Sequence, residues 1–360
     1  MKTFCGVTGM ILLVVACGAN ATDYCAWGQA QAVAQGTELQ ITAKDAKEME
    51  ERLVSNPDDL ARREQLIEYY FQANLTLRTA DLEEKREEHV LWLIEHHPEA
   101  ELAGSPEAQI MPLGLSGSTE GYERGKQLWL EQVEKHPNNQ RILTNAGQFL
   151  SFFDRKTAQK LLEKALTLDP SDLQTSSRLA QLYEQERMLA TSSEEKASLT
   201  QKALSIRERG LAKANAEERF YELGDLATAA FEAGETAKAE QYAFELLQEA
   251  QTFKNDWNYG NAIHKGNIVL GRIALRHHDI AGAKQHLLSA GETPGSPQLD
   301  SFGPNMTLAK ELLEKGEREA VLSYLQSCTK FWKMGGDKLE GWIATVKGGG
   351  TPDFSSNLSY

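Results

Sequence analysis

This 360-residue chain has little of what marks most catalytic or cofactor-binding proteins. It contains no C-x-x-C pair and no zinc-ligand spacing. None of its eight histidines stand four apart, so the H-E-x-x-H metal helix is excluded. G-x-S-x-G, the P-loop and the dinucleotide fingerprint are also missing, and Gly348-Gly349-Gly350 reads as a helix stop and not a phosphate cradle. No apolar run approaches the roughly 20 residues a membrane helix needs. Positive charge is short: 38 Lys and Arg against 52 Asp and Glu leave a net charge of -14, which disfavours nucleic acid and anionic lipid surfaces as partners. The residues indicate no catalytic set, no metal and no cofactor.

What is present is a repeated spacing. From Asn139 to Asp172 the chain carries Ile142, Ala146, Phe149, Ala158, Leu162 and Ala165, and then Pro170. Aligned on Ala146, a second copy has Leu223, Ala227, Ala230, Ala239, Ala243 and Leu246. A third has Gly271, Ala274, Ala283, Leu287 and Ala290, and a looser fourth has Ala309, Leu312, Val321, Leu325 and Cys328. Two small or tight positions lie twelve residues apart in every copy, as a helix, a turn and an antiparallel partner helix require. One such pair cannot bury its apolar stripe alone, so the pairs must stack and share a core. The fold class expected is all-α.

The 34-residue unit, with small residues at its eighth and twentieth positions and a proline near its end, resembles the tetratricopeptide repeat. The resemblance covers Leu60 to about Trp332, with poor fit between Leu102 and Tyr122. It implies an α-solenoid of tetratricopeptide-like helix pairs. It also implies a protein-protein interaction scaffold that holds a peptide or protein partner in a concave groove. From Asn258 onward the chain is also similar to a module of bacterial repeat proteins, to which no activity attaches.

The N-terminus reads as an export signal over 1–16, with Lys2 before the apolar run Met10–Ala16. Val14-Val15-Ala16-Cys17 resembles the bacterial lipoprotein box, which implies lipid attachment at Cys17 and a cell-envelope location. Gly18 after that cysteine resembles lipoproteins that are not kept at the inner membrane. Ala19-Asn20-Ala21 offers ordinary cleavage before Thr22 instead, giving a soluble periplasmic or secreted protein. Membrane association is expected through the lipid anchor only.

A tether over 17–42 should follow, then degenerate helical repeats over 43–138, tetratricopeptide-like repeats over 139–333, and a capping helix with a tail over 334–360. Gly104-Ser105-Pro106 and Met111-Pro112 allow only a short helix between them. Ser192 and Glu195 have capping-box spacing. Glu83-Glu84 and Glu87-Glu88, around Lys85 and Arg86, read as a solvated helix face. Cys328 aligns with Ala165 as a small core residue. Cys25 and Cys328 are too far apart in an open array to bridge, since a disulfide needs Cα atoms within about 7 Å. The tail after Thr351 is expected to be loose.

One stripe invites a binding role. In tetratricopeptide repeats the first helix of each pair lines the groove at its second, fifth, ninth and twelfth positions. In the copy beginning at His264 these are Lys265, Ile268, Arg272 and Leu275, with Arg276 adjoining. Steps of seven and four keep Lys265, Arg272 and Arg276 on one face, both arginines toward solvent; Asn261 extends the stripe, and Lys310 of the next copy should lie beside Arg272. The resemblance implies a groove for an acidic segment or free C-terminus, because charge-assisted hydrogen bonds suit a carboxylate. Two other readings stay open. One is a solvated face with local salt bridges. The other is a ligand-binding envelope protein for a glycan or small solute, with Trp257, Tyr259 and Trp129 as stacking groups.

Overall fold

The computed structural model describes residues 41–77, 79–112 and 119–358. The signal over 1–16, Cys17, Cys25 and nearly all of the tether lie outside the described residues. Helix accounts for 76% of the structure, in 16 helices, with no strand among the described residues. Two compact units divide the fold, Gln29–Leu182 and Tyr183–Tyr360.

The N-terminal unit contains α1 (Ala43–Ser55), α2 (Leu60–Leu77), α3 (Ala80–His96), α4 (Thr119–Lys135), α5 (Gln140–Leu150), α6 (Arg155–Leu168) and the start of α7 (Leu173–Leu189). Polar caps set its helix starts. Thr42 and Asp45 form a reciprocal capping box, Asn139 accepts from Ile142 N at 3.2 Å, and Asp154 accepts from Thr157 N at 3.3 Å. In the clean pair, α5 and α6, the tight residues Ala146 and Ala158 are both fully buried.

Between α3 and α4 the structure departs from a repeat. Instead of a first helix, two short 3-10 turns, Leu102–Gly104 and Pro106–Ala108, pack against α5, α3 and α2. Side chains supply the hydrogen bonds that a helix would make internally. Asn145 donates to the carbonyls of Pro98 and Ala100, both at 2.9 Å, and Gln109 donates to Phe149 O at 3.0 Å. Arg86 donates to Gln109 O at 2.9 Å and to Glu107 O, and pairs with Glu83. This corrects the solvated-face expectation: Glu84 and Glu88 are exposed, but Glu83 and Arg86 are buried. Trp129, expected as a stacking group, is also fully buried and cannot meet a ligand.

The C-terminal unit runs through α8 (Ser193–Gly210), α9 (Ala216–Glu232), α10 (Thr236–Thr252), α11 (Tyr259–Arg276), α12 (Ile280–Gly291), α13 (Pro297–Ser301), α14 (Thr307–Glu314), α15 (Arg318–Cys328) and α16 (Gly336–Lys347). Ser192 caps α8 through Glu195 N at 3.1 Å, as its spacing predicts. Helices α9 and α10 pair, as do α11 and α12, and then α14 and α15. Ala227, Ala239, Gly271, Ala283, Ala309 and Val321 are all buried at the crossings. Their order is that of stacked solenoid pairs, α9 touching α11 and α11 touching α14.

Each of these three pairs turns the same way. A residue with positive φ stands seven places after the small residue: Gly234 at 79°, His278 at 60° and Gly316 at 85°. The next residue sends its N–H back to the first helix, as Glu235 to Ala230 O, Asp279 to Ala274 O and Glu317 to Leu312 O at 2.9–3.0 Å. This is the left-handed cap that glycine adopts without strain. His278 occupies it without being glycine.

Leu339, Trp342 and Val346 of α16 join the last core together with Trp332 and Phe331, as a capping helix should. Cys328 is a free, buried thiol in that core. The loose-tail expectation is corrected. Phe354 packs edge-on against Trp342, and Asn357 donates to Phe302 O at 2.9 Å and Pro304 O at 3.2 Å while its carbonyl accepts from Met306 N. The tail is fastened by Phe354 in the core and by Asn357, a polar residue that hydropathy does not flag.

Candidate functional site

Helix α11 carries all but one of the expected groove residues, and the structure shows what each touches. Lys265 is bonded to Asp225 of α9. Arg272 reaches Glu232 of α9 and Glu311 of α14, both at 2.9 Å, and lies over the Phe231 ring at 4.3 Å. With its side chain only 17% exposed, Arg272 does not face solvent as expected. Glu311, one residue beyond Lys310, meets Arg272; Lys310 is exposed and pairs with Glu314 of its own helix at 3.6 Å. Asn261 is fully engaged. Its amide donates to Asn258 and Gln298, and its oxygen accepts from Ser296.

The stripe therefore belongs to two rows of ion pairs. In one, Arg207, 1% exposed, binds Glu184 at 3.1 Å and Glu222 at 3.0 Å and approaches Asp225, which also holds Lys265. In the other, Arg187 lies 3.8 Å from Glu232, followed by Arg272 and Glu311. The first row has one more carboxylate than cations, and the second is balanced. Burial alone would raise the Asp225 carboxyl, but Lys265 and Arg207 outweigh it and hold it at about 2. Burial and the Glu232 charge push Glu311 up in spite of Arg272. An anionic partner meets a neutralised floor here.

Arg276 differs. It is exposed, stacks on Phe231 with its guanidinium carbon 3.4 Å from the ring centroid, and donates to Phe231 O at 3.0 Å. It meets no carboxylate among the described residues. Burial and the Arg272 charge lower its pKa from the usual value. A guanidinium fixed by an aromatic face and one carbonyl keeps further N–H groups for a ligand.

Beside these rows, a cavity of about 80 Å³ opens along α11. Its wall includes Tyr221, Asn258, His264, Gln298 and Thr307, with Lys265 and Arg272 at its side. His264 is 3% exposed, because α11 packs it toward Tyr324 of α15. Its Nε2 lies 3.0 Å from Tyr324 Oη. Tyr324 donates its hydrogen to Asn305 O at 3.2 Å, since a carbonyl can only accept. This assigns the His264 proton to Nε2 and leaves Nδ1 a bare acceptor. Burial, aided by the Lys265 charge, lowers His264 to about 3, so it stays neutral at physiological pH. A base that weak is poorly matched to proton abstraction near pH 7 and suits hydrogen-bond recognition.

In the sequence His264 stands only as the start of a repeat copy. Its one signal is position: four residues before Ile268, it falls on the face of α11 that must be buried. Of the stacking residues expected for a glycan, Trp257 is 36% exposed and stacks on Tyr221 at 5.6 Å, while Tyr259 packs against the core around Phe220. No helix among the described residues is long and apolar enough to cross a membrane. No protein-family model matches the chain, and no curated protein matches it.

Proposed function

We propose that this chain is a binding scaffold of the bacterial cell envelope, built of tetratricopeptide-like repeats, exported and anchored by lipid at Cys17. It holds a peptide or protein partner against the face formed by α9, α11 and α14 of the C-terminal unit. The observation that carries the reading is Arg276, an exposed guanidinium held by an aromatic ring and bonded to no carboxylate among the described residues, on the same helix as a cavity whose mainly apolar wall carries a few polar side chains. Arg276 takes an acidic side chain or free C-terminus of the partner. Lys265, Arg272 and Lys310 act in the scaffold, tied to carboxylates of the chain itself.

Cavity size argues for a peptide over a glycan. About 80 Å³ is below the roughly 150 Å³ that admits benzene, and far below the roughly 300–1,000 Å³ of pockets that enclose small ligands. A side chain fits it, and a sugar ring does not. The exposed Trp257–Tyr221 stack is the one feature favouring a glycan, which would have to lie outside the cavity.

Affinity capture from envelope extract, with wild type and Arg276→Glu side by side, tests the reading. The variant should lose a partner at low salt that wild type retains, with the difference shrinking at high salt as screening weakens exposed pairs. Equal recovery at low salt would remove this face from consideration.

A further inference from the structure

We propose that the cavity on α11 is a specificity pocket that admits one uncharged hydroxyl or carboxamide side chain of a bound peptide, whose donor hydrogen is received by His264 Nδ1. The proposal rests on the peptide-binding reading above and adds what the peptide must carry.

Three observations support it. His264 is a polar side chain buried to all but 3%, it lines the cavity, and its Nδ1 makes no hydrogen bond among the described residues. Nδ1 is not sealed off from the cavity, and an occupant that covers it without bringing a donor leaves it unpaired at a cost, so the site favours an occupant that brings one. Next, the tautomer is fixed from outside the pocket. Asn305 O takes the Tyr324 hydrogen and Tyr324 Oη takes the His264 Nε2 hydrogen, so Nδ1 offers a lone pair. Then there is charge. Lys265 and Arg272, at the cavity side, are already bonded to Asp225, Glu232 and Glu311, which removes the attraction that a carboxylate would need to overcome the Nδ1 lone pair. The Asn258 side-chain amide, also on the wall, makes no donation among the described residues and can serve the acceptor atom of the same side chain. Ser, Thr, Asn and Gln carry a donor and an acceptor together. Aspartate carries no donor at neutral pH.

Asn and Asp are nearly isosteric, so the pair separates hydrogen bonding from shape. A phage-displayed random heptapeptide library is selected on the full-length chain, and one enriched peptide is synthesised in Asn and Asp forms at its anchor position. The enriched peptides should share one position restricted to Ser, Thr, Asn or Gln. The Asp form should bind about tenfold more weakly, the worth of one good hydrogen bond with its partner left unpaired. Tyr324→Phe keeps the ring and removes the oxygen that fixes the proton, so His264 can turn donor; the Asn-over-Asp preference should fall to about twofold or less.

Should that variant fail to fold, a long-range proton–nitrogen spectrum of the wild type decides the premise. Nδ1 of His264 must be unprotonated from pH 5 to 8, and a proton there overturns the proposal. Peptides that enrich without a hydroxyl or amide position, or that bind equally well as Asp, overturn the pocket and leave the peptide reading standing. Failure of the wild type to enrich any peptide removes both.

Discussion

Arg207→Met tests whether the ion-pair rows hold the C-terminal unit together. Arg207 is 1% exposed and serves three acids from two helices, Glu184 of α7 and Glu222 and Asp225 of α9. Methionine keeps an unbranched stem of similar course and removes the guanidinium. Breaking a buried pair by deleting one partner costs about 3–5 kcal/mol, because the other charge stays behind. Here the carboxylates retain some water, with side-chain exposures of 28%, 16% and 22%. The loss should therefore fall near the lower end, about 3 kcal/mol, or roughly 6–12 °C in Tm for a unit of this size. The pH dependence gives a sharper check. Asp225 is depressed from 3.8 to about 2 on folding, worth about 2 kcal/mol of stability. A depressed carboxyl contributes fully above its unfolded value near 4 and loses that contribution as pH falls through the folded value near 2. With Arg207 gone and Lys265 alone beside it, Asp225 contributes less. Urea denaturation followed by circular dichroism should then show the wild type ahead by the full margin at pH 7 and by up to about 1 kcal/mol less at pH 3, midway between the two values. A variant as stable as wild type at pH 7, or a margin unchanged at pH 3, would refute the reasoning.

Three further outcomes can be measured directly. His278→Gly should raise stability by about 0.5–1 kcal/mol, because glycine takes φ 60° without strain while His278 stands at the place of Gly234 and Gly316; a lower melting temperature would mean the histidine makes a compensating bond. Ala146→Trp should destabilise by about 1–3 kcal/mol or more, since Ala146 is fully buried at the α5–α6 crossing, and an unchanged melt would show that the crossing has room. Cys17→Ser should move the protein from the membrane fraction to the soluble one, and a soluble wild type beginning at Thr22 would discard the anchor.

The fold was legible where packing repeats. Spacing of twelve between small residues is a local property of helix–turn–helix geometry, so Ala146 and Ala158, Ala227 and Ala239, Gly271 and Ala283, and Ala309 and Val321 placed four pairs without knowledge of neighbours. Where the chain stops repeating, periodicity carries no information. The segment with the turns Leu102–Gly104 and Pro106–Ala108 takes a first helix's place because Asn145 and Arg86 satisfy its carbonyls from other elements, at Pro98, Ala100, Glu107 and Gln109, while Gln109 reaches out to Phe149 O. Likewise the tail is fixed by Asn357 reaching Phe302 and Pro304, more than fifty residues back. Nothing near either segment announces these bonds.

The same limit explains the site. A helical wheel shows that Lys265, Arg272 and Arg276 share a face of α11, which is a property of one helix. Whether that face is a free cationic surface depends on what α9 and α14 bring against it, and that is a property of register between repeats. Asp225, Glu232 and Glu311 arrive at the right heights to bind two of the three cations, and Phe231 arrives under the third. Charge on a repeat surface is thus set pairwise across neighbouring helices, and a stripe read from a single helix overstates it. What remains after cancellation is small and specific: one exposed guanidinium and one buried imidazole acceptor. Two such groups cannot select a partner by bulk charge, so on the proposed reading recognition would turn on hydrogen-bond direction, and a net charge of -14 need not repel an acidic peptide that offers the right donor.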